Sequence, residues 1–296
     1  MLKPIEDSEL DEDPGDILAD SLDTLYGYQP LTLSSPSRHF ILQLDPLDHG
    51  IDTSSAKPCK PISISCRVPD TQSANWSLHA SSVWVASVYL TQHIQELHIH
   101  DYLSPLTSPT NPINVLELGA GAGIPSIAIS KLYEDSCIRV TSSDYPDDQL
   151  IAALKDNVQM NDVASKCKVV PYAWGSDASP LLPRSETTLD SGFDVVIAAD
   201  TLWNSDTHAI FVETLQKTLK KDAKSRIHLV AGLHTGRFTI QSMLDRLALS
   251  GFDVEFAEER RVHGDQRRGW IVERDGEDEF DRRRWLVWIK LKWHTT

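Results

Sequence analysis

Three glycines at alternate positions, Gly119, Gly121 and Gly123, interrupt the stretch NVLELGAGAGIPSIAIS directly after the apolar run Val115–Leu118, with Glu117 two residues ahead of the first. Glycine inside a regular element costs about 0.5–1 kcal/mol relative to alanine, so such a run marks a backbone that turns with positive φ or that a ligand approaches closely. A second residue able to do chemistry is Asp144, which ends the segment IRVTSSD. A carboxylate at the end of a strand can accept hydrogen bonds from the vicinal hydroxyls of a nucleoside-like ligand; the same residue can instead cap a helix starting near Asp147. A third group is DTLWN, residues 200–204, which sets the carboxylate of Asp200 three residues before the indole of Trp203. There too a ligand-facing role competes with helix capping and core packing.

The elements that must position these groups follow from periodicity. Strand patterns at 115–118, 138–142, 168–172, 193–199, 226–231 and 252–257 alternate with helical patterns at 124–133, 147–160, 206–220 and 237–250. That alternation predicts βαβ units and a parallel sheet. An entry helix is expected over Ser81–Leu97, and Trp285–Trp293 (WLVWIKLKW) reads as a closing strand. In a doubly wound sheet a Gly-rich turn between strand and helix holds a nucleotide-like ligand at the carboxyl edge. The dinucleotide fingerprint GxGxxG is not met: the chain has GxGxG, then Ile124 and Pro125, a residue suited to the first turn of a helix.

Bulk properties narrow the class. The 296 residues are 41% hydrophobic, enough for one large core with appendages. With 43 acidic against 28 basic residues the net charge is −15, which disfavours nucleic acid and suits basic partners. Cys59, Cys66, Cys137 and Cys167 form no CxxC pair and read as reduced thiols. No apolar run approaches membrane-spanning length and no secretory h-region opens the chain, so the expectation is a cytoplasmic protein with no membrane partner. His93, His98 and His100 lack a ligand spacing, so no metal is expected.

Three regions are expected. Residues 1–30 form an acidic disordered arm, with nine acids against Lys3 alone up to about residue 24. Residues 31–79 form a small β extension containing HFILQL and PISISCRV, and residues 80–296 form the main domain. The insert 258–284, EERRVHGDQRRGWIVERDGEDEFDRRR, mixes both charges; it reads as a solvated loop, the other reading being a substrate-facing arm.

With Glu117 the glycine run becomes ExGxGxG, which resembles motif I of the seven-strand S-adenosylmethionine-dependent methyltransferases. Trp84 in SSVWVAS, Trp174 in VVPYAWG, the DTLWN segment, PDTQSANWSLHASSVWVAS and SDYPD are similar to the family 16 group. That group includes lysine methyltransferases, the fungal methyltransferases of elongation factor 1-alpha and fungal proteins labelled nicotinamide N-methyltransferase-like. The likeness covers about residues 70–257.

The resemblance implies an α/β fold, a doubly wound, mostly parallel sheet of seven strands, with S-adenosyl-L-methionine as cofactor. It implies cofactor contacts from Trp84, Gly119, Ala120, Gly121, Asp144, Trp174 and Ala199. Asp200 and Trp203 would be catalytic, the indole holding an ammonium by cation–π contact worth ~0.5–2 kcal/mol. Trp203 stands where the group's DxxY-like motif carries tyrosine, so a specific tyrosine role does not transfer. The expected acceptor is a lysine or N-terminal amine of a basic, elongation-factor-like protein. A small amine such as nicotinamide, and a cofactor-binding scaffold without turnover, are the other readings.

Overall fold

A computed structural model describes residues 31–44, 61–103, 107–109, 111–183 and 191–294, apart from the side chain of Trp76. The acidic arm expected over residues 1–30 lies outside the described residues; the described ones all belong to one compact unit, Leu31–Thr296. The strands are β1 (Thr32–Ser34), β2 (His39–Leu44), β3 (Ile62–Arg67), β4 (Val83–Trp84), β5 (Ile113–Leu118), β6 (Ile138–Asp144), β7 (Cys167–Pro171), β8 (Val195–Ala199), β9 (Arg226–Gly232), β10 (Phe252–Arg261), β11 (Arg267–Gly269) and β12 (Trp285–Trp293). The helices are α1 (Val85–Gln92), α2 (Ile124–Leu132), α3 (Asp148–Met160), α4 (His208–Thr218), α5 (Arg237–Leu249) and α6 (Glu279–Arg282).

The central sheet has the order β11-β10-β12-β9-β8-β5-β6-β7. Neighbours from β7 to β9 pair in parallel, whereas β12 runs antiparallel to both β9 and β10. The seven strands expected from the sequence are joined by β11, a short eighth strand from inside the charged insert, antiparallel to β10. Successive residues of a strand face opposite sides, and the core divides accordingly. Val115, Val195 and Ile197 pack with α1 and α2, while Leu116, Val196 and Ala198 pack with α4 and α5. Apolar runs without polar alternation are what a sheet covered on both faces requires.

The entry helix is shorter than its periodicity predicts: α1 stops at Gln92, and 3-10 turns at Ile94–Leu97 and Ile99–Tyr102 follow. Strands β2 and β3 form an antiparallel hairpin. Asn157 on α3 and Asn161, the residue that caps that helix at its carboxyl end, complete the edge of the hairpin. The Asn157 amide accepts from Arg67 N (2.7 Å) and donates to Arg67 O (2.9 Å), and Asn161 does the same with Ser65 (3.1 and 2.6 Å). Asn157 Nδ2 also donates to Ala122 O (3.0 Å), tying the hairpin to the glycine-rich turn.

Over residues 258–284, where a solvated loop is expected, all positions but the buried Glu259 and Arg260 are exposed or half-buried, and short elements form at Arg267–Gly269 and Glu279–Arg282. Strand β10 continues to Arg261, and Arg237 on α5 is clamped between two acids of that region. Its guanidinium donates to Glu259 at 2.6 and 2.7 Å and to Glu277 at 2.6 and 2.8 Å. Arg268 bridges the same two carboxylates, at 2.7 Å to Glu259 and 2.8 Å to Glu277. Glu259 is wholly buried, so its charge is sustainable only with these partners. Some of the charges in this largely solvent-accessible segment, Glu259, Arg268 and Glu277, thus form an ion-pair network with Arg237.

Candidate active site

A cavity of about 470 Å³ opens where the strand order reverses, between the carboxyl ends of β5 and β8. Ligands of open α/β sheets bind at that topological switch point. Its walls include Trp84, Gly119, Ala120, Gly121, Asp144, Trp174, Ala199, Asp200 and Trp203. All nine residues expected from the sequence are therefore brought to one space.

The glycines have different reasons to be there. Gly119 and Gly121 have φ of +69° and +54°, values that side chains rarely adopt. A Cβ on Gly119 would stand 2.7 Å from Thr201 Cγ2 and 3.4 Å from Trp174, so that position is closed by the protein itself. A Cβ on Gly121 would meet nothing within 4 Å and would project into open space beside the cavity. At Gly123 the obstacle is Leu154 Cδ1, 2.5 Å away, which is helix packing rather than binding.

Two buried carboxyls frame this turn. Asp144 accepts from Gly121 N at 2.6 Å and from Tyr145 N at 2.7 Å. Burial pushes its carboxyl up to about 6, partly offset by those two amides. Glu117 accepts from Ser126 N at 3.1 Å and from Ser126 Oγ, and burial pushes it up to about 8. Asp147 caps α3 through Gln149 N and Leu150 N, leaving Asp144 uninvolved in that cap. Its other oxygen holds Gln72 N (3.0 Å) and Asn75 Nδ2 (2.8 Å). That anchors the 3-10 segment Ser73–Leu78, whose end supplies Ser77 and Leu78 to the cavity, followed by His79.

Opposite lies an arc of aromatic rings. Trp84 Nε1 donates to His79 O at 2.8 Å, the His79 ring meets Trp203 edge-on at 4.9 Å, and Trp84 stacks on His234 at 5.4 Å. Asp200 follows β8 with φ of +57°, a conformation that costs a non-glycine residue energy and is concentrated at functional sites. Its amide donates to Val230 O (2.8 Å) and its Oδ1 accepts from Gly232 N (2.9 Å). Burial raises the Asp200 carboxyl and the nearby His234 opposes that rise. Asp200 does not cap α4; Asn204 caps the 3-10 turn that precedes that helix. Trp174 meets Phe211 edge-on at 4.6 Å while lining the cavity.

Sequence reasoning missed His79 and His234. His79 lies inside the stretch PDTQSANWSLHASSVWVAS, five residues before Trp84, and His234 lies two residues beyond the end of β9; neither position was singled out. His98, His100 and Asp101 gather their ligating atoms within 4.8 Å on the surface, all exposed, whereas His93 stacks on Tyr89 at 4.0 Å.

The family described as lysine methyltransferase matches residues 71–235, more than half of the chain. Among curated relatives, three are each named protein N-terminal and lysine N-methyltransferase efm7. That of Schizosaccharomyces pombe is 29% identical over 63% of this chain and 70% of its own length. That of Debaryomyces hansenii is 35% identical over 48% and 53%, and that of Emericella nidulans 36% over 40% and 46%. For the latter two the match spans about half of the relative. The chain belongs to the lysine methyltransferase family and is an S-adenosylmethionine-dependent methyltransferase.

Proposed function

We propose that this protein methylates an amine of a protein, a lysine side chain or an N-terminal amine, and that the acceptor protein is basic and elongation-factor-like. The observation that carries this reading is that one cavity joins the Asp144–Gly121 turn to the Asp200, Trp203, His79 and Trp84 wall. Asp144 and Asp200 close β6 and β8, two strands apart in the order β6-β5-β8, a lateral separation of about 10 Å. The names of the relatives and the net charge of −15, which attracts basic partners, support the acceptor class.

The residues present fit the cofactor. The open space beyond Gly121 suits a ligand against the backbone, and Asp144 can accept from ribose hydroxyls while held by Gly121 N. Trp84, Gly119, Ala120, Trp174 and Ala199 complete the proposed cofactor contacts. When bound, S-adenosylmethionine supplies an electrophilic methyl group on a sulfonium. The chain's own task is to bring in an amine, strip it of water and of a proton, and aim its lone pair; orientation alone is worth ~7–11 kcal/mol. A free lysine has a pKa of about 10.4, so deprotonation is part of that task. Trp203, whose ring His79 meets edge-on, offers its indole face to the ammonium, and Asp200 accepts its proton.

A cytoplasmic location belongs to the same reading and is favoured by the free thiols of Cys66, Cys137 and Cys167. No helix among the described residues is long and apolar enough to cross a membrane. The test is radiolabelled S-adenosylmethionine with purified elongation factor 1-alpha, its amino-terminal and lysine-containing peptides, and nicotinamide. Label in protein supports the reading. Label in nicotinamide alone, or in nothing, overturns it.

A further inference from the structure

One aromatic ring of the cavity wall is held in a way that core packing does not explain. His79 has φ of +53°, a left-handed backbone that strains a bulky side chain and that glycine or asparagine adopts more readily. Its imidazole is exposed yet lines the cavity, so burial does not account for the residue. The loop that carries it is tied at three points. Thr71 Oγ1 and Ser81 Oγ meet at 3.2 Å and close its base. Asp147 Oδ2 holds Gln72 N and Asn75 Nδ2, and at the tip Trp84 Nε1 donates to His79 O at 2.8 Å. Trp84 is fixed in turn by β1, where Thr32 pairs with it and Leu31 O accepts from Val85 N at 3.0 Å.

We propose that His79 is a positioning residue for the methyl acceptor: the tied loop sets its ring against Trp203 and fixes the indole that receives the acceptor amine. This rests on the amine-acceptor reading above. Among the described side chains His79 is the ring that meets Trp203, edge-on with centroids 4.9 Å apart. It also stands at 89° to Trp84, 6.4 Å away, so one imidazole links the acceptor wall to an indole proposed to touch the cofactor. Edge-to-face contacts are attractive and directional; the ring therefore selects one orientation of Trp203 rather than filling space. Holding that orientation before the acceptor arrives removes an ordering step that would otherwise oppose binding.

The backbone and the ring of His79 do separate things. The bond from Trp84 goes to the His79 carbonyl, whereas the contact with Trp203 is made by the imidazole. A side-chain substitution at position 79 thus keeps the tether on Trp84 and removes the brace on Trp203. The chain on either side of Trp203 is anchored independently. Leu202 O accepts from His208 Nε2 at 3.0 Å, and Asn204 Oδ1 accepts from Asp206 N at 3.0 Å. With the backbone held, what His79 decides is the rotamer of the indole.

The test uses the full chain with 5-fluorotryptophan at its eight tryptophans, without cofactor or acceptor. The ¹⁹F resonance of Trp203, assigned with Trp203→Phe, should move by more than its linewidth in His79→Asn, a substitution that tolerates left-handed backbone. That of Trp293, which stacks on Phe252, should hold. With purified elongation factor 1-alpha as acceptor, His79→Asn should raise the acceptor KM ~3–10-fold, the scale of one lost aromatic contact. The change in kcat should be smaller and S-adenosylmethionine affinity unchanged. His79→Phe, which returns a ring, should recover most of the KM. Should His79→Asn fail to fold, His79→Gly, which the left-handed backbone favours, takes its place with the same expectations. An unmoved Trp203 resonance overturns the proposal, as does a wild-type acceptor KM or a loss of cofactor affinity that matches the rise in KM. Failure of the protein-amine reading is a separate result: wild-type enzyme would then label no protein, although the Trp203 resonance would still move in His79→Asn.

Discussion

Asp144 Oδ2 accepts a 2.6 Å hydrogen bond from the backbone amide of Gly121, which joins the acid that closes β6 to the turn that follows β5. The acid and the glycine run, 23 residues apart in the chain, thus form one binding element. Asp144→Ala should weaken S-adenosylmethionine and S-adenosylhomocysteine binding by about 1.5–3 kcal/mol, the range for hydrogen bonds to a charged group. Asp144→Asn, which leaves the shape intact, should remove a pH dependence. The wild-type carboxyl, raised to about 6, must be ionised to accept from two hydroxyls, so affinity should hold above that value and decline below it. Calorimetry between pH 5 and 8 checks both; equal affinity in wild type and Asp144→Ala would remove Asp144 from the site.

Gly119→Ala and Gly121→Ala should part company. Both require a left-handed backbone, which costs alanine roughly 1–2 kcal/mol. Only the first also drives a Cβ to 2.7 Å from Thr201. Gly119→Ala should therefore show the larger fall in melting temperature, while Gly121→Ala should lose cofactor affinity ~10-fold or more with the smaller loss of stability. Melting curves with and without S-adenosylhomocysteine measure the split.

Glu117 makes a prediction about alkaline stability. Its folded carboxyl is raised to about 8, so the folded protein keeps a proton that the unfolded chain releases above about 4.3. The stabilisation is complete below that lower value and is lost as pH rises toward 8. Glu117→Gln cannot titrate, so its melting temperature should change less between pH 5 and 8.5. A difference of at least 2 °C in the two declines is expected, given about 2–4 °C per kcal/mol for a chain of this size. Parallel curves would mean that the carboxyl titrates normally.

The buried network at the insert predicts a large stability effect at a distance from chemistry. Removing one member of a buried ion pair costs about 3–5 kcal/mol, because the partner charge remains unpaired. Glu259→Gln leaves Arg237 and Arg268 facing each other with Glu277 alone between them. The melting temperature should fall on the order of 10 °C. Cofactor affinity of the folded fraction should be unchanged. A drop under 2 °C would mean that the Glu259 ion pairs contribute little to stability.

Asp200→Asn and Trp203→Ala should cut methyl transfer ~100-fold or more, as expected when a reacting group is misplaced. Cofactor affinity should change far less. Full rate with a lowered melting temperature in either variant would make DTLWN a scaffold element, and the acceptor would then have to be sought elsewhere on the cavity wall.

What the sequence determined by itself was local or periodic. Alternating strand and helix patterns specify a doubly wound sheet, because each pattern has one way to bury its apolar residues. The glycine run, the acid ending β6 and the acid–indole pair after β8 were legible because the sheet's carboxyl edge collects whatever ends its strands. Tertiary structure decided what depends on partners far along the chain. The signs in 258–284 carried no record that Arg237 would pair with Glu259 and Glu277, so the ion-pair network inside an otherwise solvent-accessible segment was not legible. The stacking of His234, just past the end of β9, on Trp84, 150 residues earlier in the numbering, was likewise set by the tertiary structure. Periodicity reports which face of an element is apolar, whereas a charge or an imidazole acquires its role from the one or two groups that burial sets beside it.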